Sequence, residues 1–198
     1  MAMADRSTSP AKGDTKQRIL QLAIELIRAR GFHGFTFHDV AAELGTSHVA
    51  VHHHYKTKAL LVDAAVRAYT ERFVAELDAI AGSEARTDQQ LRRYARLFET
   101  AGDDDDRICL CGALAAEIAT LPEPVPGSVR AFFEQNEAWL AKVLAKHVGG
   151  RPTSARVQQL ARSFLALLEG AMLGARAFGD RSRIQSAAQL WLDALPTG

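Results

Sequence analysis

Apolar side chains recur at intervals of three and four residues along most of the chain, the spacing that places them on one face of an α-helix. Within residues 14–30, for example, the pattern falls on Ile19, Leu22, Ala23 and Leu26. Sustained alternation of apolar and polar residues, which indicates β-strands, is nearly absent, and Asn-Gly and Asp-Gly hairpin turns do not occur. The pattern predicts an all-α protein.

Glycines, prolines and capping residues divide this pattern into nine predicted helices. Their expected ranges are 14–30, 37–44, 48–55, 58–81, 87–101, 107–120, 127–148, 153–178 and 181–195. We expect a flexible tail over residues 1–13, a front unit of three helices over 14–58 and a larger helical bundle over 59–198.

The second and third predicted helices are short and are joined by only three residues, Gly45, Thr46 and Ser47. A turn of three or four residues that contains glycine, set between two short amphipathic helices, is typical of a helix-turn-helix. The second helix of such a motif enters the major groove of DNA with its N-terminal residues foremost. The front unit is therefore a candidate DNA-binding domain.

The second helix of this motif has side chains that suit DNA contact. The polar ones are Thr46, Ser47, His48, His52 and His53, with Lys56 and Lys58 just beyond them. The apolar ones, Val49, Ala50 and Val51, are small, which allows close approach to base pairs. We interpret Phe32, Phe35, Phe37, Leu44 and Val51 as core residues rather than contacts.

The distribution of charge agrees with this interpretation. The 198 residues have a formal net charge of +1, but residues 1–58 carry +3 and residues 59–198 carry −2. Six of the seven histidines lie between positions 33 and 54. Histidine offers two ring nitrogens for hydrogen bonding and becomes cationic near neutral pH. A basic, donor-rich N-terminal quarter predicts contact with a polyanion at one end of the molecule.

Other classes of protein find little support in the sequence. No apolar run approaches the roughly 20 residues that span a bilayer, and the first ten residues lack the apolar segment of a secretory signal. Two cysteines separated by one residue fit a reducing cytoplasm, which is the expected location. Motifs such as G-x-S-x-G and H-E-x-x-H are absent, so we expect neither an enzyme nor a cofactor.

A metal site within the histidine-rich segment is an alternative to DNA contact. Consecutive helical residues point about 100° apart, so His52, His53 and His54 do not converge on one ion. His48 and His52 have the i, i+4 spacing that allows joint ligation, but no cysteine or carboxylate lies within a turn to complete the ligand set. We therefore expect hydrogen bonds to phosphates or base edges, and no metal.

The segment from Arg18 to Leu61 resembles the DNA-binding domain of the TetR family of transcriptional regulators. The matching features are the R-I-L-x-x-A opening, Gly31-Phe32, Thr36, Val40-Ala41, Gly45-Thr46-Ser47 and the closing H-x-H-Y-K-T-K. The resemblance implies a helical homodimer with one such domain per subunit and a ligand-binding C-terminal bundle. An AcrR-like or NemR-like branch is one alternative within the family.

The resemblance also implies roles for individual residues. Thr36 is similar to a phosphate-binding hydroxyl, and Lys58 to a phosphate-binding lysine. The turn and the groove-facing start of the recognition helix correspond to Thr46, Ser47, His48, Val49 and Ala50, and positions that commonly touch the DNA backbone correspond to His52, His53 and His54. Two departures are Val49, where the family usually has glycine, and His52, where it usually has tyrosine.

The rear bundle offers candidates for dimerisation. The eighth predicted helix is apolar on more than one side, which predicts burial on more than one side. A partner subunit is the simplest source of the second buried surface. The candidate interface residues on the last two helices are Leu165, Gly170, Met172, Gly174, Leu190 and Trp191. The alternative is that the two glycines are only helix irregularities.

Large apolar residues on helices five to eight are candidates for an effector pocket. They are Phe98, Leu114, Phe133, Trp139, Phe164 and Leu168, with Glu117 and Asn136 as polar groups that orient a ligand. This set predicts a small, mostly apolar effector, and the alternative is that the same residues are simply core. Cys109 and Cys111 are interpreted either as small buried hydrophobes or as sensors of electrophiles, because a helix N-terminus and a nearby arginine lower the pKa of a thiol. The segment around them resembles one in TetR-type regulators, some of which detect electrophiles with a cysteine.

The leading hypothesis is an all-α regulator with an N-terminal three-helix DNA-binding domain and a C-terminal bundle for ligand binding and dimerisation. As a homodimer it binds a palindromic double-stranded operator, most simply as a repressor, and a small apolar or electrophilic effector releases it. The alternatives are a helical protein-interaction module or a thiol-based redox sensor without direct DNA binding, and a helical enzyme.

Overall fold

The computed structural model describes residues 12–99 and 108–195, with side chains from residue 15 onward. Within these ranges the chain forms nine α-helices, one short 3₁₀ helix and no strand, as the apolar periodicity predicts. The helices are α1 (Lys12–Arg30), α2 (Phe37–Glu43), α3 (His48–His54), α4 (Lys58–Ser83), α5 (Thr87–Glu99), α6 (Leu110–Ala116), α7 (Val125–Val148), α8 (Ala155–Phe178) and α9 (Ser182–Asp193), and the 3₁₀ helix spans Ile118–Thr120. Most of the expected tail and the acidic run at 103–106 lie outside the described residues.

Hydroxyl caps set the beginnings of the helices in the front unit. Thr36 and Asp39 form a reciprocal capping box at the start of α2. Ser47 accepts a hydrogen bond from the backbone N–H of Ala50 at the start of α3, and Thr57 accepts one from the N–H of Leu60 at the start of α4. Because these bonds are local, the sequence is enough to predict them.

Most helix ends lie within one or two residues of their predicted positions, and α1 begins at Lys12, inside the expected tail. Two further differences have a physical explanation. The predicted helix over 107–120 is interrupted, because α6 ends at Ala116 and Glu117 separates it from the 3₁₀ helix. Helix α7 begins at Val125, earlier than position 127, with Pro126 in its first turn. Proline is accepted there because the first N–H groups of a helix have no intrahelical partner.

The bundle and the front unit share one continuous apolar core. Helix α7 packs against α4 and α8, α9 packs against α5 and α8, and α1 packs against α4 and α6. In the centre the hydroxyl of Tyr94 donates to Oδ1 of Asn136 at 2.9 Å, and the amide of Asn136 donates to the carbonyl of Phe132. None of the described helices has the length and apolar character needed to cross a bilayer.

Candidate nucleic-acid interface and effector cavity

Helix α3 is anchored on one side and exposed on the other. Val51 is fully buried and Tyr55, just after the helix, is also in the core. The outward side presents Thr46, Ser47, His48, Val49, His52 and His53, all exposed. Val49 is 63% exposed although it is apolar. An apolar side chain held out on the first turn of a short helix is available to contact a thymine methyl group.

Aromatic contacts hold several imidazoles of the front unit in place. The rings of His38 and His48 lie 4.5 Å apart, and the ring of His52 meets Phe37 edge-on at 4.6 Å. His53 is exposed and His54 is half-buried beside it. The histidines therefore face outward from a defined surface. Among the described residues, no group of three histidine, cysteine, aspartate or glutamate side chains is arranged to hold a metal ion.

The two hydroxyl groups considered for phosphate contact, those of Ser47 and Thr36, differ in whether they already donate a hydrogen bond within the protein. Ser47 employs Oγ as an acceptor from Ala50, so its hydroxyl can still donate to a phosphate oxygen. The hydroxyl of Thr36 donates to the carboxylate of Asp39 at 2.7 Å. The hydrogen bonds from Thr36 hold the pKa of Asp39 below its usual range. Thr36 is thus a helix cap that must leave Asp39 before it can donate to DNA.

Lys58 does not extend into solvent as a phosphate-binding lysine would. Its Nζ donates to the backbone carbonyl of Phe35 and lies 4.6 Å and 4.3 Å from the ring centroids of Phe32 and Phe35. Burial lowers the pKa of its ammonium group. Cation–π and carbonyl contacts therefore draw it into the front unit, and Lys56, which is exposed, is the better placed cation for DNA.

A cavity of about 250 Å³ lies between α6, α7 and α8, and we call it the effector cavity because it is the candidate site for the predicted effector. Its lining consists of Ile108, Gly112, Ala115, Phe133, Glu137, Arg162, Leu165, Ala166, Glu169 and Leu173. Of the predicted pocket residues only Phe133 is in this lining. Leu165, predicted for the dimer interface, is buried and lines the cavity as well.

The other predicted pocket residues occupy different places. Four of them, Phe98, Leu114, Phe164 and Leu168, are buried in the core. Trp139 stacks on Tyr94 at 5.4 Å, and both ends of the Asn136 amide are engaged within the core. The alternative interpretation of these residues as core is the one that the structure favours, because the apolar periodicity does not distinguish a core face from a cavity wall.

The sequence prediction missed Glu169, a carboxyl group in the lining of the effector cavity. It lies on α8 between the buried residues Leu165, Leu168 and Met172. Burial raises the pKa of its carboxyl group to about 7. The sequence feature that could have indicated this residue is its position as a single carboxylate on an otherwise apolar face of α8.

The two cysteines do not have the environment of reactive thiols. Both are buried at the start of α6. Burial, followed by the nearby carboxyl of Glu169, raises the pKa of each thiol well above its ordinary value. The raised pKa values count against the sensor hypothesis, which requires a lowered thiol pKa, because desolvation opposes formation of the thiolate. The structure favours the interpretation of both residues as small core side chains.

The predicted interface residues on α8 and α9 fall into two groups. Met172 is buried and accepts a hydrogen bond from the backbone N–H of Cys109, and Trp191 stacks on Phe164 at 4.2 Å. Met172 and Leu165 are interior residues and Trp191 is half-buried, because α8 packs against α7 and α9 within the monomer. Gly170 and Leu190 face solvent, and Gly174 is half-buried.

Glu117, predicted for the pocket, instead joins the bundle to the front unit. Its carboxylate accepts hydrogen bonds from the backbone N–H groups of Phe32 at 3.0 Å and His33 at 3.2 Å. Close by, Nε of Arg28 donates to the carbonyl of Ile108 at 2.9 Å. The segment 108–117, which contains α6 and which we call the α6 segment, is therefore hydrogen-bonded at both ends to the end of α1 and the residues just after it.

The fold and the exposed surface of α3 define a helix-turn-helix DNA-binding protein with a helical C-terminal domain. The sequence model described as "Bacterial regulatory proteins, tetR family" matches residues 19–65. A second, described as "Transcriptional regulator LmrA/YxaF-like, C-terminal domain", matches residues 85–190. The chain belongs to the TetR family of transcriptional regulators.

A solved structure described as a TetR-family regulator agrees with this membership, and two further proteins are similar to the chain. A TetR-family transcriptional regulator from Agrobacterium tumefaciens is 30% identical, with a TM-score of 0.88 over 95% of this chain and 100% of that one. The reduced form of NemR from E. coli shares the fold, with 19% identity and a TM-score of 0.79 over 93% of this chain and 98% of that one. The nucleoid occlusion factor SlmA of Enterobacter sp. (strain 638) is 28% identical over 174 residues, 85% of each chain.

Proposed function

We propose that the chain is a ligand-responsive repressor that binds a palindromic DNA operator as a homodimer and leaves it when a small, mostly apolar effector occupies the effector cavity. The observation that carries the proposal is the surface of α3, which is exposed, carries no acidic side chain and is fixed by the burial of Val51. Residues 14–58 act as the DNA-binding domain and residues 59–198 as the ligand-binding and dimerisation bundle.

The α3 surface supports contact with both bases and phosphates. Val49 and the imidazoles of His48 and His52 project from the helix that enters the groove, where apolar groups and hydrogen-bonding nitrogens read base edges. Ser47 and Lys56 lie at its two ends and suit the phosphates on either side. His53 and His54 extend this surface along the DNA backbone.

A stripe on α8 supports the homodimer. Exposed side chains are spaced three and four residues apart and are mostly small: Ser163, Ala166, Gly170, Leu173 and Ala177. Leu190 on α9 is 75% exposed and is a further apolar side chain on the surface. Pairing of this face with its copy would bury both helices in a four-helix arrangement. Two recognition helices would then reach successive major grooves about 34–36 Å apart.

The α6 segment supports a ligand response. The side chain of Ile108 lines the effector cavity, and its carbonyl accepts from Arg28 on α1. At the other end of the segment, Glu117 accepts a hydrogen bond from the backbone of Phe32, in the turn that leads into α2. A ligand that shifts α6 therefore biases the orientation of the front unit, and a state with altered spacing between recognition helices binds the operator less well.

Selection of bound duplexes from a random DNA pool by the full chain tests the proposal. We expect palindromic sites, binding that weakens steeply with salt and a dimer in analytical ultracentrifugation. Val49→Asp should abolish selective binding without loss of helicity, because the side chain is exposed. Ala138→Asp, on the exposed side of α7, is the matched control and should bind as wild type.

Two results would contradict the proposal. A chain that selects no duplex at low salt favours the protein-interaction module instead. A chain that binds DNA only as a monomer, with no preference for palindromes, removes the homodimeric operator complex.

A further inference from the structure

The effector cavity contains a carboxyl group with an unused hydrogen-bonding atom. Oε1 of Glu169 is shielded from solvent and has no hydrogen-bond partner among the residues that the structure describes. Oε2 faces α6, where a Cβ added at Gly112 would lie only 2.3 Å away. The thiol of Cys109 lies near the same carboxyl group. Glycine at position 112 thus leaves the space in which the carboxyl sits.

An unpartnered carboxylate in an apolar site is unstable unless a proton or a cation accompanies it. Burial raises the pKa of Glu169 to about 7, so its protonated and ionised forms are similarly populated near neutral pH. A cation beside the carboxylate would stabilise the ionised form strongly, because charges interact more strongly where water is excluded. The cavity therefore favours a cationic occupant over a neutral one.

The charges around the cavity oppose an anionic occupant. Glu137 contributes a second carboxylate to the lining, and the one guanidinium there, that of Arg162, already contacts Glu137 at 3.3 Å. The side chain of Arg162 is 64% exposed, so solvent screens much of its charge. Among the described residues, Tyr94, Cys109 and Cys111 also interact electrostatically with Glu169. Their pKa values are raised, so these three groups stay neutral.

We propose that the effector cavity binds a small organic monocation, an ammonium group on an apolar frame, which donates an N–H to the carboxylate of Glu169. The frame packs against Phe133, Leu165 and Leu173, and the ring of Phe133 adds a cation–π contact. The volume of about 250 Å³ is below the roughly 300–1,000 Å³ of drug-sized sites, so the occupant is small. This inference rests on the proposed ligand response, since it names the class of effector.

Calorimetry on the full chain with three matched probes tests the inference. They are 4-phenylbutylammonium, the neutral 4-phenyl-1-butanol and the anionic 4-phenylbutanoate. We expect the ammonium to bind at least tenfold more tightly than the alcohol, and the carboxylate not to bind. Affinity for the ammonium should rise about tenfold from pH 6 to pH 8, because the cation binds the ionised form of Glu169.

Variants separate the carboxyl from the rest of the cavity. Glu169→Gln should reduce ammonium affinity at least tenfold and remove its pH dependence, while alcohol binding is retained. Gly112→Ala should weaken ammonium binding too, because the new methyl group displaces the carboxyl. Glu134→Gln removes an exposed carboxylate on α7 outside the cavity lining and should change nothing.

Equal binding of the ammonium and the alcohol, no ammonium binding, or unchanged ammonium binding by a folded Glu169→Gln variant would overturn the inference. Failure of the proposed function gives a different result. In that case the wild-type chain binds the ammonium but selects no DNA, whereas a chain that selects an operator and ignores all three probes refutes only the assignment of the effector class.

Discussion

The carboxylate of Glu117 accepts a hydrogen bond from the backbone N–H of Phe32 at 3.0 Å, across 85 positions of sequence. The residue before Phe32 is Gly31, which has a φ of +73° and lies so close that a Cβ there would come within 1.8 Å of Oε1 of Glu117. The corner between α1 and α2 is thus built around a carboxylate supplied by the bundle. It connects the end of α6 to the corner that leads into α2.

Gly31→Ala should destabilise the protein more than Gly45→Ala. Both glycines have positive φ, which costs an alanine about 1 kcal/mol. A Cβ at Gly45 has open space, whereas one at Gly31 displaces Glu117 and breaks its charged hydrogen bonds, a further loss of about 1–3 kcal/mol. Urea unfolding of the two variants measures the difference. Equal losses would show that the Glu117 contact contributes nothing to stability.

Lys56→Ala should weaken binding to every duplex by a similar factor and lower the slope of log affinity against log salt by about 1, because one phosphate contact is lost. The side chain of Lys56 is exposed at the end of α3. Lys142→Ala removes an equally exposed cation on α7 and should leave the slope unchanged. Fluorescence anisotropy at several salt concentrations makes the comparison. A slope that falls equally in both variants would mean that only net charge matters.

Local structure could be predicted from the sequence because its causes are local. The pairs Thr36–Asp39 and Ser47–Ala50 lie three residues apart, so the caps can be identified without knowing the tertiary structure. The turn at Gly45 is local in the same sense. These features were sufficient to locate the candidate DNA-binding surface.

Features that depend on packing between distant segments could not be predicted. Lys58 turns inward because Phe35, 23 positions away, presents a carbonyl and a ring to it. Glu117 interrupts the predicted helix over 107–120 and accepts hydrogen bonds from Phe32 and His33, just after α1. Glu169 becomes a cavity residue only because α6 brings Gly112 opposite it. Periodicity shows that a helix face is buried but not which surface covers it.

Glu169 should make the protein less stable as pH rises. Its folded pKa of about 7 exceeds the ordinary 4.5, so the folded state favours the protonated form. The contribution is fully present below about pH 4.5 and is lost as pH rises through 7. Because the residue keeps some solvent contact, we expect a loss of about 2 kcal/mol relative to Glu169→Gln. Urea unfolding of both proteins at pH 5 and pH 8 checks this. If the free energies of unfolding of the wild type and Glu169→Gln differ by the same amount at both pH values, the prediction is contradicted.

Cys109 and Cys111 should resist alkylation in the folded protein. Both thiols are buried and their pKa values are raised, so few thiolates form and reagents cannot reach them. Mass spectrometry after iodoacetamide treatment should show little labelling in buffer and two labels per chain in guanidinium. Labelling in buffer at the rate of free cysteine would restore the electrophile-sensor hypothesis.

Leu190→Asp should convert a dimer into monomers. The side chain is 75% exposed in the isolated chain, so the substitution leaves the internal packing of α9 intact, as circular dichroism should confirm. A charge buried between two copies of α9 would lack a partner and disfavour association. Operator affinity should fall sharply, because each monomer would then bind its half-site independently. The increase in affinity that comes from two linked DNA-binding domains is lost. Ala138→Asp adds the same charge to an exposed position on α7 and should remain dimeric in sedimentation experiments. A Leu190→Asp protein that stays dimeric would place the contact between subunits elsewhere, since an aspartate cannot be tolerated at the centre of a tightly packed apolar interface.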